Sequence, residues 1–254
     1  MNMVCIDICK RMEPITLSEM KDIRLMNRID TKYLISAKLL PELLRQLEND
    51  FRIQEVDGKK ISGYRTMYFD TEDMSMYLMH HNSKRNRLKI RTRCYVDSGL
   101  TFLEIKKKDN KGRTRKERIK IPNDDFSDFS SNPEAVAFVE KNTGLKIGDI
   151  FPTVLSSFDR ITLVNYERTE RITIDTNLYY SNFRTKQNSE ARDLVIIELK
   201  QDGKTNSLLK DKLAEYRVFP GGMSKYCLGC VLTDKDTKQN RFKQKVRYIN
   251  KLTT

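Results

Sequence analysis

Stretch after stretch of this chain alternates apolar and ionic residues with a period of two. That alternation restricts it to a fold in which a β-sheet has one apolar and one charged face. RLKIRTRCY (87–95) places Arg87, Lys89, Arg91, Arg93 and Tyr95 on one side, with Leu88, Ile90, Thr92 and Cys94 on the other. FLEIKKK (102–108) sets Glu104, Lys106 and Lys108 against Leu103 and Ile105, and RKERIKI (115–121) sets Lys116, Arg118 and Lys120 against Ile119 and Ile121. Further on, Arg160 opposes Ile161 and Leu163, Arg171, Thr173 and Asp175 oppose Ile172 and Ile174, and Glu198 and Lys200 oppose Val195, Ile197 and Leu199. Near the start, Arg28, Asp30 and Lys32 alternate with Ile29, Tyr33 and Ile35.

For a single strand, an ionic face meeting water is the ordinary reading. For the set it is not, because like charges opposite one another on neighbouring strands repel and the cations outnumber the carboxylates. The whole chain agrees, with 48 Lys and Arg against 35 Asp and Glu and a formal net charge of +13. The surplus calls for an anionic partner: phosphate compounds, nucleic acid or an acidic membrane surface. If the strands close into a barrel, the polar faces point into the lumen and the apolar faces outward under helices. Arg91, Arg93, Lys106, Lys108, Lys116, Arg118 and Arg160 then line a tunnel whose natural occupant is a polyanion. Glu198, and after it Glu104, are the carboxylates within this cationic set. Beside a phosphate site a carboxylate can hold Mg²⁺ or Mn²⁺, hard ions that complete their shell with phosphate oxygens and water. Aromatic residues interleaved with the cations would speak for nucleic acid, but Tyr95 stands almost alone on the basic faces.

The expected fold class is α+β, a closed antiparallel β-barrel of about eight strands with a cationic lumen and helices outside. Strands are expected at 28–35, 64–71, 87–96, 100–108, 113–121, 153–164, 171–178 and 192–200. Helices are expected at 14–27, from an N-cap at Ser36 through Leu47, in or near 72–82, and at 133–141, 207–216 and 223–232. Residues 1–233 read as a single domain and 234–254 as a basic tail or loosely docked helix. The five cysteines are too scattered for a disulfide framework, and Cys227 and Cys230 read as small apolar residues of a helix. No apolar run approaches the roughly 20 residues that span a bilayer. The opening MNMVCIDICK, interrupted by Asp7, does not read as a signal peptide, so the expected compartment is the cytosol.

The segments DTKYLI, YFDT, RTRCY, LEIK, FDRITL, ITID, IIELK and MSKY occur in this order between about residues 20 and 232. In this the chain resembles the VTC domain, the polyphosphate polymerase module of the vacuolar transporter chaperone complex and its bacterial relatives. That domain belongs to the triphosphate tunnel metalloenzyme (CYTH-like) superfamily. The resemblance implies that Lys32, Arg91, Arg93, Lys106 and Arg160 contact the nucleoside triphosphate or the growing chain. It also implies that Glu198 is the metal ligand and that Ser224 and Lys225 close the site from the terminal helix. Lys116 and Arg118 add to the lining. Phe158 stands where eukaryotic members carry Tyr and Lys108 where they carry His, and Met223 precedes Ser224 where a second Lys is expected shortly upstream. Hydrolases and cyclases of the superfamily usually show ExExK on the first strand, whereas Arg28, Asp30 and Lys32 stand here, which resembles the polymerase branch.

The expected function is transfer of the γ-phosphate of ATP to inorganic polyphosphate, with Mn²⁺ or Mg²⁺, beside a membrane-protein partner at the inner face of a membrane, and without nucleic acid. The alternatives are an inorganic triphosphatase on the same fold and a non-catalytic module that binds polyanions or nucleic acid.

Overall fold

A computed structural model describes residues 2–21, 23, 28–203 and 206–253. Eight strands form the main sheet in the order β2 (Arg28–Ser36), β11 (Leu194–Asp202), β9 (Glu170–Asn182), β8 (Phe151–Asn165), β4 (Ser62–Asp70), β5 (Arg87–Tyr95), β6 (Leu100–Lys108) and β7 (Thr114–Ile121). Every neighbouring pair on this path is antiparallel. The alternation read from sequence is therefore the alternation of one antiparallel sheet. Short strands β1 (Pro14–Thr16), β3 (Phe51–Glu55) and β10 (Asn188–Ala191) add to its margins, β1 on β3, β3 on β8 and β10 on β9.

The expected closed barrel is corrected in one respect: β2 and β7 are edges that share no ladder. The sheet still rolls up, since Lys32 of β2, Lys106 of β6 and Thr114 of β7 line one cavity. Register shifts in β8, against β4 at Tyr68/Phe69 and against β9 at Ser157/Asp159, supply the local bend that a bulge gives a strand.

Two apolar layers cover the outer face. Helices α1 (Met3–Arg11), α3 (Leu40–Leu47) and α6 (Leu208–Glu215) pack on Tyr33, Ile35, Ile161, Leu163, Ile172, Ile174, Ile197 and Leu199. Helix α5 (Pro133–Thr143), with the turns at Asp124–Phe126 and Ile147–Asp149, covers Met67, Phe69, Ile90, Leu103, Ile105 and Ile121. The inner face carries a third core. Helix α7 (Lys225–Thr233), with α4 (Ser75–His81) and α8 (Lys243–Leu252), packs there against Leu34, Tyr64, Tyr68, Val154, Phe158, Tyr180 and Ile196. Helix α7 thus plugs part of the lumen. Asp70, at the end of β4, holds it there by accepting hydrogen bonds from the backbone N–H of Met76 and Tyr77, both 2.8 Å, and from the hydroxyl of Tyr226.

Several local expectations change. The helix expected over 14–27 is replaced by β1 and the short α2 (Leu17–Lys21), and residues 22 and 24–27 lie outside the described residues. Ser36 ends β2, and the next helix starts at Leu40 with Pro41 in its first turn. The segment 234–254 is more than a tail. Phe242 and Ile249 bury themselves in the inner core, and the Tyr77 hydroxyl donates to the carbonyl of Lys238 at 2.8 Å. Cys5 and Cys9 sit in the outer core and Cys227 and Cys230 in the inner one, all as free thiols.

Gly229 sets how closely α7 approaches the sheet. A Cβ at this position would lie 2.6 Å from Val154 Cγ1 and 2.8 Å from Tyr180 Cδ1. Gly229→Ala should cost about 1–3 kcal/mol of stability, as overpacking does. At about 2–4 °C per kcal/mol for a chain of this size, calorimetry should record a Tm lower by several degrees.

Candidate active site

Residues paired directly across an antiparallel sheet share a face, so the register defines the site. Lys89 lies opposite Lys106, and Lys106 opposite Lys116. One step along, Tyr68, Arg91, Glu104 and Arg118 form a row, and next to it Thr66, Arg93 and Phe102. On the other wall Lys32, Glu198, Thr173 and Thr162 align, with Asp175 opposite Arg160.

Three carboxylates organise these cations, each holding two. Arg91 donates to Glu104 Oε2 at 2.8 Å through Nε and lies 2.7 Å from it through a terminal nitrogen, while Lys116 pairs with Glu104 Oε1. Arg160 grips Asp175 with two parallel bonds of 2.6 and 2.8 Å, and Lys225, the first residue of α7, reaches the same carboxylate. Glu198 lies 2.7 Å from Lys32 and 3.0 Å from Lys200. Burial by itself would raise these acids. The guanidiniums of Arg91 and Arg93 and the ammonium of Lys116 outweigh it for Glu104, whose pKa is lowered to about 2. Asp175 and Glu198 are likewise held well below the usual carboxylate range, by Arg160 with Lys225 and by Lys200 with Lys32.

The remaining cations are not balanced. Arg87, Lys89, Lys106 and Lys108 form no ion pair among the described residues. With Lys32, His80 and the loop Pro220–Gly222 they line a cavity of about 570 Å³. Burial, and after it the nearby Arg91, Lys106 and Arg87, lowers Lys89 to about 7. Burial and the surrounding cations Lys89, Arg87, Lys106 and Lys108 take His80 down to about 3, so it is neutral at pH 7. Lys225 is lowered to about 8, mainly by burial. A cavity with this surplus of cations attracts anions.

Aromatic rings support the balanced end. Tyr64 and Phe158 stack at 5.3 Å with their planes 7° apart. The Arg160 guanidinium lies 4.8 Å from the Tyr64 ring and the Lys225 ammonium 4.1 Å from that of Phe158. Arg118 lies 4.6 Å over Phe102, and Tyr95 packs 5.1 Å from Tyr64. The expectation that Tyr95 stands almost alone is thus corrected, because Tyr64, Tyr68, Phe102 and Phe158 share its face.

The structure brings Lys32, Arg91, Arg93, Lys106, Lys108, Lys116, Arg118, Phe158, Arg160 and Lys225 onto one inner face. Ser224, next to Lys225, caps α7 with its hydroxyl, which accepts from the Cys227 N–H at 3.1 Å. Sequence reasoning left out Asp175, Lys200, Arg87 and Lys89 as site residues, although the alternation placed them on the ionic faces. His80 carried no signal, because only the packing of α4 brings it to the cavity.

A resident divalent ion has a restricted place here. No group of three His, Cys, Asp or Glu residues converges among the described residues, so a cage built of protein ligands does not fit. An ion carried mainly by phosphate oxygens needs one carboxylate. Both carboxylates have their two oxygens paired, Glu198 with Lys32 and Lys200 and Glu104 with Arg91 and Lys116, but Glu198 keeps 24% side-chain exposure against 1% for Glu104 and is the one an incoming ion could reach. Glu104, the second metal ligand expected from the sequence, is here the buried centre of an ion-pair cluster.

The titration of these groups gives the stability a defined pH response. Between about 7 and the ordinary Lys value of 10.5, Lys89 is neutral in the folded chain and protonated in the unfolded one, so stability rises with pH across that window. Glu104 acts at the acid end: its contribution is present above the ordinary value of 4.5 and is lost as pH falls towards 2. Thermal melts should therefore show the ligand-free protein gaining Tm from pH 6.5 to 9.5, and Lys89→Met flattening that slope. Inorganic tripolyphosphate should raise Tm more at pH 6.5 than at pH 9.5.

Among solved structures, a proposed adenylate cyclase from Bacillus halodurans superposes with a TM-score of 0.50 at 15% identity, over 78% of this chain and 96% of its own. A proposed adenylyl cyclase from Hippeastrum, with a reported dominant triphosphatase activity, gives a TM-score of 0.49 at 15% identity, over 80% of this chain and 95% of its own. At this identity the likeness to the first is one of fold. No curated protein matches the chain. The VTC domain family matches residues 27–233, which takes in every cation, carboxylate and helix of the site built up in this section. The chain belongs to the VTC domain family.

Proposed function

We propose that this chain is a polyphosphate polymerase, which transfers the γ-phosphate of ATP to a growing inorganic polyphosphate chain in the cationic lumen. The observation that carries the reading is the unbalanced group Arg87, Lys89, Lys106 and Lys108, which continues from the ion-paired cations along the same strands. A lone triphosphate would be served by the balanced end. Additional uncompensated charge along the strand direction suits a longer anion.

Phosphoryl transfer asks a protein chiefly to position groups and to stabilise charge. Glu104 and Asp175 orient the guanidiniums of Arg91 and Arg160, so each can present its remaining N–H groups to phosphate in a fixed plane. Arg93 keeps an unpartnered buried Nε, and Lys106 and Lys225 add point charges. The acceptor is a phosphate oxygen that is already ionised at neutral pH, so transfer needs no proton abstraction. Neutral His80 is consistent with that. Glu198 would hold a divalent ion, whose contribution there would be charge neutralisation at the phosphate. Arg28 stands on the first strand where the ExExK pattern of hydrolases and cyclases carries its first Glu, which supports polymerase over hydrolase. No helix among the described residues is long and apolar enough to cross a membrane.

The deciding experiment incubates the protein with ATP and Mn²⁺, resolves polyphosphate on a stained gel and assays free phosphate in parallel. Long polymer with little free phosphate is expected. Free phosphate without polymer would mark an inorganic triphosphatase, and neither product would leave a polyanion-binding module. Glu198→Gln should abolish turnover while tripolyphosphate still binds. Arg160→Ala should lower kcat by about 10²–10³, the loss seen when one donor to developing charge is removed.

A further inference from the structure

Lys32 is held in place from behind as well as from the lumen. The N–H of Gly221 donates to the Lys32 carbonyl at 2.8 Å. The next residue, Gly222, lies so close that a Cβ on it would meet the Lys32 Cβ at 2.9 Å. This loop, Pro220–Gly222, walls the 570 Å³ cavity on one side. Its other side borders a second cavity of about 260 Å³, between the loop and α8, so side-chain packing alone does not support it there. What crosses that gap is the Lys245 ammonium of α8, which donates to the Gly222 carbonyl at 2.9 Å. Helix α8 is itself fixed to the sheet, by buried Phe242 and Ile249 and by the Tyr248 hydroxyl, which donates to the Leu34 carbonyl at 3.4 Å, two residues along β2 from Lys32. This helix lies beyond residue 233, where the family match ends.

We infer that α8 belongs to the active-site mouth, with Lys245 a positioning residue that presses the Pro220–Gly222 loop against Lys32 and so sets where the Lys32 ammonium meets the anion. The inference rests on the proposed role of Lys32 as a phosphate contact. Charge alone would let any cation of α8 act. Geometry confines the effect to Lys245, because Arg247 of the same helix makes no hydrogen bond or ion pair to the loop among the described residues.

The test measures binding of inorganic tripolyphosphate by calorimetry, with Tm followed in parallel. Lys245→Met should weaken binding roughly three- to ten-fold, the range one hydrogen bond carries, with Tm nearly unchanged because Lys245 is exposed. Lys245→Arg should restore it, and Arg247→Met, which removes the same charge, should change it much less. In a Lys32→Met background the effect of Lys245→Met should vanish, since coupled residues are non-additive. Equal losses from Lys245→Met and Arg247→Met, or the same loss with and without Lys32, would overturn the inference. Polymer formation is not part of the readout. A chain that binds tripolyphosphate but makes no polymer would refute the polymerase reading and leave this one standing, while failure of the unmodified chain to bind would overturn both.

Discussion

Asp175 is the interaction on which this structure turns. It sits on β9, is gripped by Arg160 from β8, and receives Lys225 from the first turn of α7. One carboxylate thus fixes two strands and the helix that plugs the lumen. Glu104 does the same for β5, β6 and β7, and Glu198 joins β2 to its own strand. Removing one partner from a buried charge group costs about 3–5 kcal/mol, because the charge left behind has no water to turn to. These three centres allow a sheet to gather so many cations on one face without repelling itself apart.

The balance is local, and its limits shape the chemistry. Where carboxylates pair with cations, guanidiniums are oriented and rings pack around them. Where cations outnumber carboxylates, with Asp30 the one acid on the cavity wall, burial and neighbouring cations lower the pKa of Lys89 and His80, and Arg87, Lys106 and Lys108 keep the cavity positive. One end of the lumen is internally ion-paired and the other carries uncompensated positive charge.

Helix α7 connects this electrostatic site to the apolar core. Its N-terminus points Lys225 at Asp175, while Tyr226 bonds Asp70 and Gly229 lets the helix backbone lie against Val154 and Tyr180. The inner face of the sheet is accordingly divided, apolar beneath the helix and ionic beyond its first turn. The division explains why aromatic residues occur on a face that the charge pattern alone would assign wholly to ions.

The sequence by itself determined which face each strand residue occupies, because a strand's side chains alternate by backbone geometry alone. Arg91, Arg93, Lys106, Arg160 and Glu198 were legible as one set for that reason, and the order of their motifs pointed to the family. Tertiary structure decided what each charge touches. The partners of Glu104 were not legible in the sequence, because the register of β6 with β5 and β7 places Arg91 and Lys116 on its two oxygens. His80 and Lys245 had no periodic signal, and they reach the site through helices that pack on the sheet from distant parts of the chain. Alternation is a property of neighbours in sequence. Register, the open edge between β2 and β7, and helix docking are settled by contacts between residues such as Asp175 and Lys225, 50 positions apart, or Asp70 and Tyr226, 156 apart, which only the folded chain brings together.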